Sequence, residues 1–245
     1  MSVILANLQA VRQRIHSASA VCGQNAENIL LLAVSKTRPL EDIFIAASGG
    51  QRDFGESYAQ EGVEKIRAAR ALRPDLPLVW HFIGPIQSNK TRLIAEYFDW
   101  AHSIDRLKIA ERLSLQRPGS LPPLQALIEI NVSGEASKSG ALPEEALTLA
   151  RAVSRLSGLT LRGLMCVPAP TKNSKAQRQP FAKLAALFQE TRQTLLRENP
   201  ASATTFDTLS MGMSDDFTAA IHEGSTLLRI GSALFGARPP RAAAL

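Results

Sequence analysis

Ile29-Leu30-Leu31-Leu32-Ala33-Val34-Ser35-Lys36-Thr37-Arg38-Pro39 is the stretch on which the fold turns. The apolar run from Ile29 to Val34 has no polar interruption and stops at Ser35-Lys36. A run of this kind reads as a strand buried on both faces, the pattern of a parallel sheet. Pro39 suits the first turn of a helix, where its fixed φ fits and its missing N–H is not needed. Lys36 therefore stands just past the carboxyl end of a buried strand, in a strand-to-helix turn. Ligands bind at that position in α/β folds. Two readings of the lysine stay open. Desolvation disfavours the ammonium, and a neutral lysine amine is a nucleophile towards aldehydes. The plainer reading is a solvated lysine that marks a strand end.

The same strand–helix unit recurs on both sides of this stretch. Ile4, Leu8, Val11 and Ile15 predict a helix over 3–19, ahead of the first strand. Further strands are predicted over 52–55, 78–84, 100–103, 124–132, 159–167, 207–211 and 225–230. Helices fall between them, over 39–47, 58–69, 89–96 and 105–115, from Pro143 onwards, and over 181–195. Ser214 is the predicted N-cap of the next helix, with Asp215 and Asp216 in its first turn. About eight alternations in 245 residues argue for a closed (β/α)8 TIM-type barrel with an extra N-terminal helix, not an open sheet. This α/β fold takes up residues 1–237 as one domain, and 238–245 reads as a disordered tail.

Composition removes several functional classes. No apolar run approaches a membrane span, and the start has no basic segment before an apolar core, so it does not read as a signal peptide. Cys22 and Cys166 make neither a disulfide framework nor a metal-ligand spacing, which fits a cytoplasmic protein. The net charge is +6, but the basic residues are spread out and aromatic residues are only 5%, so no nucleic-acid surface is indicated. The charge suits anionic small molecules.

In a barrel, functional groups gather at the carboxyl ends of the strands. Two ends stand out. Ser210-Met211-Gly212-Met213-Ser214 leads into the capped helix, and Arg229-Ile230-Gly231-Ser232 ends the last strand. Free backbone N–H groups at such glycine turns form an anion site, and these two loops are the usual phosphate site of the fold. A reactive lysine on the first strand plus this cradle suggests a phosphorylated aldehyde, with pyridoxal 5′-phosphate the obvious candidate. Glycines that merely make tight turns are the alternative. His81, between Trp80 and Phe82, either lines the barrel mouth or is hydrogen-bonded structure. Glu56 is either a general base or a loop-positioning group. Cys166 reads as a small core residue. Lys138 is the second-choice lysine.

The motifs now suffice to mark a resemblance. LLAVSKTRP at 31–39, DFGESYAQE at 53–61, WHFIGPIQSNK at 80–90, HSID at 102–105, INVSGEASKSG at 130–140, LSMGMSDD at 209–216 and GSTLLRIGSALFG at 224–236 resemble the pyridoxal phosphate homeostasis proteins, the YggS/PROSC-like family. The resemblance implies a barrel similar to the N-terminal domain of alanine racemase, with pyridoxal phosphate held on Lys36 as an internal aldimine. It implies that Arg229 faces the pyridine nitrogen, leaving it neutral and the electron sink weak. Ser210 and the backbone at Gly231 and Ser232 would hold the phosphate. The candidate cofactor-binding residues are therefore Lys36, His81, Ser210, Met211, Ser225, Thr226, Arg229, Gly231 and Ser232, with no metal ligand and no catalytic residue. The chain departs from the family pattern at Ser57, Pro85 and Cys166, where asparagine, histidine and threonine are usual.

The resemblance implies a carrier that holds and delivers pyridoxal phosphate to recipient apoenzymes. A racemase or related amino-acid enzyme is the alternative. Two-base racemisation needs an acid/base group on each face of the substrate. In the alanine racemase pattern the second is a tyrosine from a partner subunit's C-terminal domain. No such domain is expected here, which favours a monomer, and Tyr58 and Tyr97 fall on predicted helices. A cofactor-free Schiff-base aldolase is a third reading.

Overall fold

The computed structural model describes residues 2–135, 138–171 and 173–237. The predicted tail at 238–245 lies outside them, as do Ala136 and Ser137 of the INVSGEASKSG loop. Eight parallel strands close a barrel in sequence order. They are β1 (Leu30–Val34), β2 (Asp53–Glu56), β3 (Val79–Phe82), β4 (Trp100–Ile104), β5 (Leu124–Glu129), β6 (Leu159–Met165), β7 (Thr208–Met213) and β8 (Leu227–Ile230). Helices α1 (Val3–Val21), α2 (Leu40–Ser48), α3 (Ala59–Leu72), α4 (Thr91–Tyr97) and α5 (Leu107–Gln116) serve the first half. Helices α6 (Ala146–Val153), α7 (Ser174–Glu198), α8 (Pro200–Thr204), α9 (Phe217–His222) and α10 (Ser232–Phe235) serve the second.

The extra helix α1 buries Leu8, Val11 and Ile15, the predicted stripe, against α2, α9 and α10. The core lies between strands and helices, where outward strand residues such as Ala33, Ala126, Met211, Leu228 and Ile230 join the helix faces. The register sets the other face. Leu32 pairs with Arg229, Glu129 with Met165, and Met165 with Ser210, so these side chains share the barrel interior.

Several boundaries differ from the sequence expectations: β5, β6 and β8 are shorter, and the short helices α8 and α10 add to the expected set. Pro39 sits at the cap of α2, not in its first turn. Helix α7 starts at Ser174 and runs through Pro180, because Asn173 caps it with Oδ1 accepting the Ala176 N–H at 3.1 Å. Asp216, not Ser214, caps α9, and its Oδ1 accepts the Met213 N–H at 2.6 Å, which keeps the chain in a turn up to that point.

Candidate functional site

The turn after β1 is held from both sides of Lys36. The carbonyl of Ser35 accepts a hydrogen bond from Lys65 Nζ at 2.8 Å. The N–H of Thr37 donates to Glu61 Oε1 at 2.6 Å. Lys65 and Glu61 are themselves paired at 2.7 Å, one turn apart on α3. Lys65 also reaches Glu56 Oε1 at 3.0 Å, and Ser35 Oγ donates to the same oxygen at 2.6 Å. Burial pushes the Glu56 carboxyl up, against the opposing pull of Lys65. Glu56 is therefore a loop-positioning group and does not line the cavity at the strand ends. Thr37 takes a left-handed φ of 64°, rare outside glycine.

Above this turn is a cavity of about 610 Å³ at the carboxyl ends of the strands. Lys36, Arg229, Gly231 and Ser232 line it, with Glu129, Ser214, Ser57, Tyr58, Pro85 and Lys138. Lys36 and Arg229 come together because β1 and β8 are neighbours that close the barrel. Ser214 Oγ accepts the Ala233 N–H at 3.3 Å, so its own O–H is left to donate. Lys138 is held at the rim by Glu135 at 3.3 Å and Ser133 at 3.2 Å.

Beneath the cavity a chain of hydrogen bonds descends through the barrel. Arg229 Nη1 meets Ser210 Oγ at 2.7 Å, and Ser210 Oγ lies 3.1 Å from His102 Nδ1. His102 Nε2 lies 2.9 Å from His81 Nδ1, and His81 Nε2 is 3.1 Å from Asp53 Oδ1. A carboxylate can only accept and burial keeps both imidazoles neutral, so the direction is set from the Asp53 end. Ser210 receives from Arg229 and donates to His102 Nδ1. His102 then donates from Nε2, and His81 passes its own Nε2–H to Asp53. Burial pushes both imidazoles down, His102 well below the usual histidine value, with His81 and Arg229 adding to it. Nη2 of Arg229 donates to the carbonyl of Cys166 at 2.8 Å. The Cys166 thiol, fully buried, is pushed up to about 12 by burial and is a core group.

The structure thus divides the sequence candidates. Lys36, Arg229, Gly231 and Ser232 meet in the cavity. Ser210 and His81 lie below it as supports of Arg229. Met211 faces outward into the barrel–helix core, and its carbonyl accepts from Ser225 Oγ at 2.7 Å. Ser225 and Thr226 precede β8 at the opposite, amino-terminal end, where Thr226 Oγ1 accepts the Leu209 N–H at 2.9 Å. Gly212, at φ 95°, makes room for α9: a Cβ there would come 2.6 Å from Ala220 Cβ. Tyr58 stands at the cap of α3, not inside a helix, and lines the cavity.

Sequence reasoning passed over Glu129. It ends β5, is buried, and faces the cavity. Burial pushes its carboxyl up to about 7, with Arg229 pulling the other way. The signal was present as a carboxylate between Ile128 and Ile130 in a buried strand.

Comparison with known proteins agrees with this geometry. The family model described as alanine racemase, N-terminal domain, matches residues 6–239. A "Pyridoxal phosphate homeostasis protein" of Vibrio cholerae is 54% identical over 97% of this chain and 98% of its own. The chain belongs to the pyridoxal phosphate homeostasis protein family. A member of that name from Escherichia coli K12 is 52% identical over 97% of this chain and 98% of its own. PipY of Synechococcus elongatus, solved with PLP bound, superposes at a TM-score of 0.78 and is 30% identical, over 95% of this chain and all of PipY. Among the described residues no helix is long and apolar enough to cross a membrane, and no group of three His, Cys, Asp or Glu could hold a metal ion.

Proposed function

We propose that this chain binds pyridoxal 5′-phosphate on Lys36 and serves its homeostasis, holding and releasing the cofactor for recipient apoenzymes, in the cytoplasm and as a monomer. The observation that carries the reading is the meeting of Lys36 and Arg229 in one cavity with the Gly231-Ser232 turn. The groups fit the cofactor. A lysine amine, a buried guanidinium donor, a free serine O–H at Ser214 and a glycine turn match an aldehyde, a ring nitrogen and a phosphate. Pyridoxal phosphate supplies an aldehyde that condenses reversibly with an amine and releases water. Lys36 supplies that amine. Arg229 binds by donation alone, which leaves a ring nitrogen unprotonated. Ser214, Ser232 and the backbone at Gly231 orient the phosphate. Tyr58, which lines the same cavity as Lys36, is 42% exposed, so the cavity reaches solvent, as release requires.

The test is a visible spectrum of the purified protein with added pyridoxal phosphate, then borohydride reduction and peptide mass mapping. A reduced adduct on the Lys36 peptide, absent in Lys36→Ala, is the expected result. An adduct solely on Lys138, or none, would overturn the reading. Ordinary turnover of common amino acids, abolished in Lys36→Ala, would favour the racemase reading instead, for which Tyr58 is the group to examine.

A further inference from the structure

Both peptide groups that flank Lys36 are tied to helix α3. The Ser35 carbonyl is tied to Lys65 and the Thr37 N–H to Glu61, and these two side chains are tied to each other. Between the ties the chain takes a conformation that its sequence resists. Thr37 is β-branched and left-handed, the only described non-glycine residue with a positive φ. Its Oγ1 is buried without a hydrogen-bond partner among the described residues, so its own side chain gives the turn no support. Strain of this kind persists only where the surroundings over-determine it. The turn's own closure, from the Arg38 N–H to the Ser35 carbonyl at 3.0 Å, is joined by two long side chains from another element, and only these reach the Thr37 N–H and the far side of the Ser35 carbonyl. Lys65 is 11% exposed at its side chain, which strengthens its bonds relative to a surface pair.

We propose that Glu61 and Lys65 are positioning residues: they clamp the Ser35-Lys36-Thr37 turn in its left-handed form, and this aims Lys36 into the cavity. Neither touches the ligand, since neither lines the cavity. The inference rests on Lys36 being the cofactor's anchor. If Thr37 relaxed to a right-handed φ, the backbone would turn beyond Lys36 and the competent orientation would become a minor state. Apparent affinity falls by the fraction of that state.

The experiment uses the full chain and pyridoxal phosphate as the probe, with affinity read from the spectrum and adduct position from borohydride trapping. Glu61→Ala removes the acceptor and is expected to weaken binding about tenfold, the population cost of an unsupported left-handed non-glycine residue. Glu61→Gln keeps an oxygen for the Thr37 N–H and should stay within about threefold of the parent. Thr37→Gly in the Glu61→Ala background should return affinity to within about threefold, because glycine adopts this φ without support. Exchange of the Thr37 amide, measured without cofactor, should quicken about tenfold in Glu61→Ala. Glu61→Ala binding like the parent would overturn the clamp, and so would a double variant no better than Glu61→Ala. Absence of an adduct on Lys36 in the parent protein would overturn the anchor reading instead. Thr37 exchange would then still decide the clamp, with unchanged exchange in Glu61→Ala counting against it.

Discussion

The hydroxyl of Ser210 lies 2.7 Å from Nη1 of Arg229 and 3.1 Å from Nδ1 of His102, so this serine works beneath the cavity. Its loss would strip a buried imidazole nitrogen of its donor. Arg229 would keep the main-chain carbonyl of Ser210, also at 2.7 Å. Ser210→Ala should therefore lower stability in urea unfolding by about 1–3 kcal/mol, the cost of an unsatisfied buried group. Cofactor affinity should fall only a few-fold, through a loosened Arg229. A loss near a hundredfold at unchanged stability would place Ser210 against the phosphate itself.

The one-way chain from Arg229 to Asp53 makes a claim about protons. His81 and His102 should both be neutral and protonated on Nε2, with Nδ1 accepting. Burial pushes both below the usual histidine range, so neither should gain a proton on passing from pH 7.5 to pH 6.5. Nitrogen-15 NMR of the imidazoles reads both properties. An Nδ1–H signal on His102 would break the chain at Ser210 and remove its role in supporting Arg229.

Gly84 fixes the loop after β3 against the loop after β2. A Cβ on Gly84 would meet the Ser57 carbonyl oxygen at 2.2 Å, and backbone cannot yield as a flexible side chain does. Gly84→Ala should cost about 1–3 kcal/mol in thermal unfolding. It should also weaken cofactor binding, because Ser57 and Pro85, both at the cavity wall, must move apart. Gly119→Ala is the control: a Cβ there meets nothing within 4 Å, and stability should change by less than about 1 kcal/mol.

The barrel was legible because buried parallel strands write themselves as apolar runs such as Ile29–Val34, and about eight alternations of strand and helix leave little choice of topology even where a strand such as 100–103 is mixed. The first and last strand ends were legible for the same reason, since Lys36 and Arg229 mark where the runs turn polar. What a run does not state is which way a single side chain faces near its end. Ser210 and Met211 are consecutive, yet one points into the barrel and the other out of it. Ser225 and Thr226 flank the same short apolar run as Gly231 and Ser232, and only the strand direction separates cavity from base. The hold of Lys65 on the Ser35 carbonyl crosses thirty residues and leaves no local pattern. Glu129 was readable in principle, since a carboxylate alternating with isoleucines in a buried strand must face an interior that can receive it.

Glu129 gives the fold a pH dependence whose sign can be worked out. Its carboxyl has an ordinary value of 4.5 and is pushed up to about 7 in the folded chain by burial. Between those values the folded state holds a proton that the unfolded state has lost. Stability therefore falls as pH rises through that window, being fully present below 4.5 and lost by about 7. The shift corresponds to at most about 3 kcal/mol. Glu129→Gln cannot ionise and should flatten the slope of unfolding free energy between pH 5 and 7, measured in urea. It should gain stability over the parent at pH 7.5 and little at pH 4.5. A parent slope left intact in Glu129→Gln would mean that Glu129 is already ionised in the fold, with Arg229 outweighing its burial. Bound pyridoxal phosphate should shift the same profile, because a dianionic ligand in the cavity further disfavours the Glu129 carboxylate and tightens in binding as that carboxyl is protonated.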